Sequence, residues 1–433
     1  ITCRDWSSDV CSSDLYKAYW DDGGQVIEPH DKNIIEEVNK ITSVDEVKWT
    51  GNDKNIQIIG ADFDELYLNR LLELSLSPEV IARQKDMKIV YTPLHGTGVI
   101  LVPAILKKMG FKNIITVPEQ EVNDGNFPTL HSPNPEESAA LTMAIEKARQ
   151  TGASLVMATD PDADRVGIAV LNKEGNYELL NGNQTGSLLL YYLLTKWKEK
   201  GKLKGKEYIV KTIVTTELLV DMAKKFGVEY YNVLTGFKYI ADILRKNEGK
   251  KSFIGGGEES YGYLAGEFVR DKDAVMACAL IAETAAWAAD EGKTLLDLLD
   301  AIYIEFGFYK EALTSLVRKG KSGVEEIQKI MDDYRKNRPA KIGNSKIVLV
   351  KDYHLKKEIN IVTGTETPID LPKSNVLQFF TEDGSKITVR PSGTEPKIKF
   401  YIGVKQVVEN NNLSKSREEL DKRIAGIKLG LGI

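Results

Sequence analysis

The sequence predicts an α/β protein made of tandem, similar α/β domains with mixed sheets, followed by a C-terminal α+β domain. Short apolar runs typical of buried strands alternate with helical periods over residues 56–254. Such alternation favours layered domains in which many strands pair in parallel. Residues 346–433 instead carry several strand-like runs close together, which favours a smaller α+β domain at the C-terminus.

The predicted elements follow the apolar pattern in chain order. Strands are predicted at residues 56–59, 88–91, 113–117, 155–158, 208–213, 252–254, 347–350, 376–380, 386–389 and 397–404. Helices are predicted at residues 62–73, 99–109, 136–150, 186–199, 216–226, 236–246 and, as a buried helix, 275–289.

Three of these strands run into a polar or glycine-rich turn that opens a helix, at residues 92–98, 214–217 and 255–260. We interpret this as a weak internal repeat, consistent with similar domains in tandem. Ligands bind outside the carboxyl ends of strands in such sheets, so these turns are the first places to look for a site.

Composition excludes several classes of function. The 433 residues carry a net charge of -5 and no basic stripe, so a nucleic-acid partner is not expected. No apolar run approaches the roughly 18 residues of a membrane span. The cysteines, Cys3, Cys11 and Cys278, form neither a CxxC pattern nor a disulfide framework. We therefore expect a cytoplasmic protein with no membrane partner.

Residues 1–15 look foreign to the rest of the chain. They lack the apolar core of a signal peptide, and residues 5–15 resemble one translated frame of a common sequencing adapter. We expect that this segment is not native, that the authentic protein begins near Tyr16, and that its upstream part has been lost. A natural tail without regular structure is the alternative.

Charge runs at residues 196–206 and 335–346 are interpreted as solvated joints. Together with the fold prediction they divide the chain after residue 15 into four parts. The predicted domains are a remnant of domain 1 (16–80), domain 2 (81–195), domain 3 (196–335) and domain 4 (336–433).

An aspartate loop follows the predicted strand 155–158. Asp160, Asp162 and Asp164 alternate there, and a tight turn with this spacing can aim three carboxylates at one point. Two unit charges ~4 Å apart repel by about 4 kcal/mol at an effective dielectric near 20, so converging carboxylates need a cation. Oxygen ligands favour magnesium or calcium. An EF-hand is excluded, because Arg165 and Leu171 stand where it needs Gly and Glu. The alternative is a solvated acidic turn that caps a helix and binds no cation.

A second turn, Arg390-Pro391-Ser392-Gly393-Thr394, follows the predicted strand 386–389. Backbone N–H groups, two hydroxyls and the guanidinium fork suit a phosphate, although an ordinary surface turn would look similar. No Walker motif GxxxxGK[ST] occurs in the sequence.

A third turn contains Glu258, Glu259 and Ser260, which suit the binding of sugar hydroxyls, although solvated acids in a glycine-rich turn would be the default interpretation. Lys17, Lys238 and Lys272 lie next to turns, and each alone would be interpreted as a surface lysine.

Taken together, TDPDADR at residues 159–165, GEES at 257–260 and RPSGTEPK at 390–397 resemble the α-D-phosphohexomutase superfamily. The similarity is greatest to bacterial phosphoglucomutases and phosphomannomutases, which residues 16–25, 92–98 and 234–238 also resemble. The resemblance covers the chain from Tyr16 to its end. It implies four domains around one central cleft, three of them similar α/β units.

The resemblance also implies residue roles. Asp160, Asp162 and Asp164 would hold Mg²⁺, and the catalytic set would include Lys17, Arg165 and Lys238. Substrate would contact Thr235, Glu258, Glu259, Ser260, Lys272, Arg390, Ser392, Gly393 and Thr394, of which the last four would hold the phosphate that is not transferred.

The implied reaction moves a phosphoryl group between C1 and C6 of a hexose phosphate, through a phosphoserine and a glucose 1,6-bisphosphate intermediate. The family places its serine in a Thr-Ala-Ser-His-Asn-Pro loop just before the residues that match Tyr16, and this motif does not occur in the chain. Ser7 lies at the family spacing but without the motif, and we assign it no role. We therefore predict little or no mutase activity.

The alternatives are a phosphopentomutase and a non-catalytic protein that binds sugar phosphates. A magnesium-dependent phosphatase is less favoured, because it would need its own nucleophile. All of these interpretations imply a small sugar phosphate as the partner, and glucose, mannose and pentose phosphates are all candidates.

Overall fold

The computed structural model describes residues 17–51, 54, 56–318, 320–392 and 396–433. Contacts between residues divide the chain into two compact units. The larger unit comprises the described residues up to Val210 together with Gly236–Leu295. The C-terminal unit comprises Lys211–Thr235 and Leu296–Ile433.

The helices in the described residues are α1 (His30–Val38), α2 (Ala61–Leu72), α3 (Pro78–Arg83), α4 (Gly98–Met109), α5 (Thr142–Thr151), α6 (Gly182–Glu199), α7 (Leu218–Phe226), α8 (Phe237–Asn247), α9 (Ala274–Asp290), α10 (Leu295–Phe306), α11 (Gly320–Lys336) and α12 (Leu413–Leu431). The strands are β1 (Lys88–Thr92), β2 (Asn113–Thr116), β3 (Leu155–Thr159), β4 (Val166–Leu171), β5 (Tyr177–Leu180), β6 (Glu207–Thr212), β7 (Glu229–Val233), β8 (Ser252–Gly257), β9 (Tyr263–Ala265), β10 (Phe308–Val317), β11 (Lys341–Ile342), β12 (Ser345–Asp352), β13 (Lys357–Asn360), β14 (Glu366–Pro368), β15 (Leu377–Thr381), β16 (Lys386–Pro391) and β17 (Lys397–Gln406).

The larger unit is built on a five-stranded mixed sheet with the order β2-β1-β3-β4-β5. β1 pairs in parallel with β2 and β3, whereas the β3–β4 and β4–β5 pairs are antiparallel. Helix α5 covers one face, where Val90, Val156 and Ala158 form part of a buried cluster. Because side chains alternate along a strand, Met157 faces the other side, where α9 contacts β3 and β4. The predicted α/β class with mixed sheets is confirmed.

The C-terminal unit contains an antiparallel sheet in the order β10-β17-β16-β15-β12-β13-β14, with β11 beside β12. Helices α11 and α12 pack against it. Strand β10 precedes residue 336, the predicted start of domain 4, and yet it pairs with β17 along its whole length. We therefore propose that the fourth domain begins near Phe308, and the other predicted boundaries stay predictions.

Buried charges join Lys211–Thr235 to the sheet of the C-terminal unit. The ammonium groups of Lys211 and Lys386 both donate to Oε1 of Glu217, at 3.0 and 2.6 Å. Burial raises the pKa of Glu217, but the two lysine charges outweigh burial and hold that pKa well below its usual value. This contact fixes the first residue of β16, the strand that leads into Arg390.

One predicted strand is wrong, and one predicted helix begins later than expected. Residues 56–59 form no strand, and Ile56, Ile58 and Ile59 are exposed. The helix predicted over 136–150 begins only at Thr142, after a short 3₁₀ helix over Ser138–Leu141. In the described part of the chain no helix is both long and apolar enough to cross a membrane.

Candidate active site

The aspartate loop is the connection between β3 and β4, which pair antiparallel and close at Thr159 and Val166. Within the loop, Oδ1 of Asp160 accepts the backbone N–H groups of Asp164 at 3.0 Å and Arg165 at 2.9 Å. Ala163 has a φ of 55°, a left-handed conformation that a non-glycine residue adopts only when its surroundings hold it there. The Asp160 carboxylate therefore shapes the loop.

The three carboxylates converge as predicted. One oxygen each of Asp160, Asp162 and Asp164 lies within 4.8 Å of the others. Opposite ligands of one magnesium or calcium ion span roughly 4–5 Å, so the set can be gathered around one cation. Burial and the charge of Asp164 raise the pKa of Asp160 to about 7. Burial and a neighbouring negative charge thus disfavour the ionised form of Asp160 in particular.

Positive side chains surround this acidic cluster. Nζ of Lys272 lies 2.8 Å from Oδ2 of Asp164, and Nζ of Lys17 lies 4.0 Å from the same oxygen. Nε of Arg165 donates to Oδ2 of Asp160 at 2.6 Å. Burial raises the pKa of Asp164, but the charge of Lys272 and the other two cations outweighs burial and lowers it below its usual value. Acids and bases are therefore interleaved within one small volume.

The loop over residues 92–98 packs against the aspartate loop. The N–H of Thr97 donates to the carbonyl of Pro161 at 2.8 Å. A Cβ on Gly96 would lie 2.4 Å from Cα of Pro161, so only glycine allows this approach. His95 in this loop is buried and contacts the carbonyl of Val122 and the hydroxyl of Thr129, both at 2.8 Å. It holds the loop together.

The turn after β8 brings the predicted sugar-binding residues to the aspartate loop. The backbone of Gly262 forms a β-bridge with Arg165, and Val166 donates to the carbonyl of Tyr261 at 3.1 Å. Glu258 is buried, and its Oε1 accepts the N–H of Gly236 at 2.8 Å, next to the first turn of α8. The carbonyl of Glu259 lies so close to Gly182 that a Cβ there would come within 1.9 Å.

Lys272 is held between the two turns. Its side chain passes over Gly262, where a Cβ would lie 2.3 Å from Cδ of Lys272. Two residues further along, the N–H of Ala274 donates to the carbonyl of Ala163 at 3.1 Å. The backbone that follows Lys272 is thus tied to the aspartate loop itself, which accounts for the close pairing of Lys272 with Asp164.

The segment over residues 17–31 adds contacts that the sequence did not reveal. Besides Lys17, it contributes Tyr19, whose hydroxyl donates to Asp271 at 2.8 Å, and Asp22, which pairs with Arg270 at 2.6 Å. Asp31 lies 3.1 Å from Nζ of Lys238. In the sequence, residues 16–25 are acidic and aromatic and resemble a family motif. That resemblance does not indicate which residue each of these side chains contacts.

The remaining predicted site residues lie in the C-terminal unit and are described by themselves. Thr235 is half-buried shortly after β7. Arg390 is half-buried in β16 opposite Lys399 of β17, and the N–H of Ser392 donates to the carbonyl of Lys397 at 2.8 Å. Gly393 and Thr394 lie outside the described residues, as do residues 1–15.

The chain matches three domains described for phosphoglucomutase/phosphomannomutase proteins. Residues 65–174 match the alpha/beta/alpha domain II, residues 181–306 match the alpha/beta/alpha domain III, and residues 315–419 match the C-terminal domain.

Two curated relatives give the scale of the similarity. A phosphoglucomutase of Staphylococcus haemolyticus is 37% identical over 392 residues, which cover 90% of this chain and 70% of that protein. A phosphoglucomutase of Staphylococcus aureus is 40% identical over 322 residues, which cover 74% of this chain. The chain spans only 57% of that second relative.

Solved structures share the fold. A phosphoglucomutase/phosphomannomutase family protein from Burkholderia thailandensis superposes with a TM-score of 0.56 at 18% identity, over 85% of this chain and 64% of that one. Parafusin from Paramecium, a phosphoglucomutase in an open form, gives a TM-score of 0.59 at 16% identity, over 86% and 63%. The domain matches and the S. haemolyticus relative show that this chain belongs to the phosphoglucomutase/phosphomannomutase family, a family of intramolecular phosphotransferases.

Proposed function

We propose that this chain binds a divalent cation and a hexose phosphate, and that its site is the one used for phosphoryl transfer between C1 and C6 through a phosphoserine and a bisphosphate. The observation that carries the proposal is the convergence of Asp160, Asp162 and Asp164 beside the positive charges of Lys272 and Arg165. Phosphoryl transfer depends on positioning and on neutralising charge at the transferring group, which such an arrangement supplies.

The donor set fits magnesium. All three candidate ligands are carboxylate oxygens, and Oδ2 of Asp160 keeps a lone pair beside the one that accepts from Arg165. A bound cation would neutralise negative charge on the phosphoryl oxygens. The raised pKa of Asp160 supports this fit, because the cluster gains from a nearby positive charge.

The chain's own residues divide the remaining work. Charge on the transferring phosphoryl group is proposed to be stabilised by Arg165, Lys17 and Lys238. Lys272 is proposed to bind the substrate beside them. Glu258, Glu259, Ser260 and Thr235 are proposed to bind sugar hydroxyls. Arg390, Ser392, Gly393 and Thr394 are proposed to hold the phosphate that stays in place.

The 433-residue polypeptide as printed has no Ser-His-Asn-Pro motif. A phosphoserine mechanism needs that nucleophile, so we propose that this polypeptide binds the bisphosphate without turning over glucose 1-phosphate. A hexose phosphate is the only partner that the proposal needs, and a cytoplasmic location stays a prediction.

Calorimetric titration of glucose 1,6-bisphosphate into the full chain, with and without magnesium, tests this proposal. We expect binding that requires magnesium, that is lost in Asp164→Asn and that is retained in Asp62→Asn, a change to an exposed acid of α2. A coupled assay with glucose 1-phosphate should show no turnover, and ribose 1-phosphate should bind more weakly than glucose 1-phosphate.

Each arm of the experiment can fail by itself. Absence of bisphosphate binding would contradict the proposed site. Rapid turnover would contradict the proposed lack of a nucleophile, and preference for the pentose phosphate would favour a phosphopentomutase.

A further inference from the structure

Two carboxylates hold the guanidinium of Arg165 from different parts of the chain. Asp160, a candidate metal ligand, accepts from Nε at 2.6 Å. Glu136, which has no assigned role, accepts from Nη1 at 3.4 Å. The Arg165 side chain is 13% exposed and that of Glu136 is 31% exposed, so the pair lies at the wall of the site and still reaches solvent.

The backbone around Glu136 is seated firmly on the strand that follows the aspartate loop. A Cβ on Gly167 in β4 would lie 2.1 Å from the carbonyl oxygen of Pro135, so Pro135 rests directly on that glycine. Asn134 closes the turn, because its Oδ1 accepts the N–H of Glu136 at 3.1 Å and its carbonyl accepts the N–H of Glu137 at 3.0 Å. The Glu136 carboxylate is therefore presented by a fixed turn that packs on Gly167, two residues after Arg165 in the sequence.

A third carboxylate competes for the same guanidinium. Oδ1 of Asp164 lies 3.7 Å from Nε of Arg165, on the side of the acidic cluster. If Glu136 lost its charge, the carboxylates left close to the guanidinium within the described residues would be Asp160 and Asp164, and the guanidinium would turn toward those candidate metal ligands. Glu136 attracts it from the other side.

We propose that Glu136 is a positioning residue, which holds Arg165 so that its remaining N–H groups face the phosphoryl group of a bound sugar phosphate. A guanidinium has five N–H donors, and within the described part of the chain Asp160 and Glu136 take two. Three remain for a ligand, and a fork of donors binds phosphate well only when its plane is fixed. This inference rests on the proposed function, in which Arg165 meets the phosphoryl group.

The test compares glucose 1,6-bisphosphate binding by the full chain and four variants in magnesium, using calorimetry. Glu136→Gln keeps the side-chain shape and removes the charge. We expect a loss of about tenfold in affinity, because a misplaced Arg165 would lose about one charge-assisted hydrogen bond to the phosphoryl group. Glu137→Gln is the matched control, because that neighbour contacts Ser132 instead, and it should leave the affinity unchanged.

Arg165→Met and the double variant Glu136→Gln/Arg165→Met distinguish positioning from a merely structural role. If Glu136 acts through Arg165, the double variant should bind no more weakly than Arg165→Met alone. A further loss in the double variant, or full affinity in Glu136→Gln, would overturn the inference while the proposed function stands. No binding by the unchanged chain, or full affinity in Arg165→Met, would overturn the proposed role of Arg165 and the inference with it.

Discussion

The region before residue 60 and the sheet region after Lys88 are held in place by different forces. Helix α1 has no buried residue, and Ile35 and Val38 on it are more than half exposed. Helix α9 is buried along nearly its whole length. Among the described residues, nearly half of the exposed large apolar side chains lie before residue 60. Apolar burial, the main stabilising force in folding, thus acts mostly on the second region.

The first region is attached by polar contacts instead, and these contacts reach the candidate active site. Lys17 lies near Asp164, and the Asp31 carboxylate pairs with Lys238. Partly exposed ion pairs contribute only ~0–1 kcal/mol each and weaken in salt. The aspartate loop is thus shaped by the packed scaffold, by which we mean the five-stranded sheet and the helices that cover it. The side chains of residues 17–31 that reach the loop are instead positioned mainly by charge.

The largest expected effect separates the two regions by packing. Ile105 in α4 is fully buried, and Ile105→Ala should lower the free energy of unfolding by about 2–5 kcal/mol, because it removes apolar burial and leaves a cavity. Ile35→Ala in α1 is the matched control and should change it by less than about 0.5 kcal/mol. Urea denaturation measures both. Equal losses would break the comparison.

The next largest effect is expected at Glu283 of α9, which is hydrogen-bonded to the chain just before α3. Its Oε1 accepts the Ser75 hydroxyl at 2.8 Å and the N–H of Ser77 at 2.5 Å. Burial nevertheless raises the pKa of this carboxyl above its unfolded value of about 4.3. The folded state therefore keeps a proton that the unfolded state has lost, and its stability falls as pH rises from about 4.3 through the folded pKa.

Glu283→Gln removes this titration and keeps an acceptor oxygen. The difference in unfolding free energy between the unchanged chain and the variant should fall with rising pH in that window and then level off. Urea denaturation at a series of pH values measures it, and a difference that is independent of pH would contradict the raised pKa.

Elements of the packed scaffold were predicted more accurately from the sequence than those of the region before residue 60, for a physical reason. β1 and β3 are buried, so their residues form the continuous apolar runs from which they were predicted. Residues 56–59 show the same kind of run and form no strand. A strand needs a partner as well as a pattern, and a single sequence does not supply the partner.

The candidate site shows the same division. Asp160, Asp162 and Asp164 were predicted as a group because they are close in sequence and one turn brings them together. Glu136 was interpreted as the start of a helix, because the apolar period continues through it. Its contact with Arg165, 29 residues away, follows from the seating of Pro135 on β4, which no local pattern encodes.

A smaller effect should appear when salt is raised from roughly 0.05 to 0.5 M, which shortens the Debye length to a few ångströms. Amide hydrogens of α1 should exchange faster, because the ion pairs that attach residues 17–31 are screened. Amides of β1 and β3 should not change, since apolar burial protects them. Exchange measured by mass spectrometry tests this, and equal acceleration in both regions would count against attachment by charge.

The smallest expected effect is that of a single ion pair. Asp31 and Lys238 are each about a quarter exposed, so Asp31→Asn should loosen α1 by no more than about 1 kcal/mol. Glu36→Gln, an exposed change on the same helix, is the control and should leave exchange in α1 unchanged. Combining Asp31→Asn with Lys238→Met should add nothing beyond either single change, because both remove the same contact. If the two effects are additive, α1 is attached in another way, and Lys238 is available to a phosphate without first releasing Asp31.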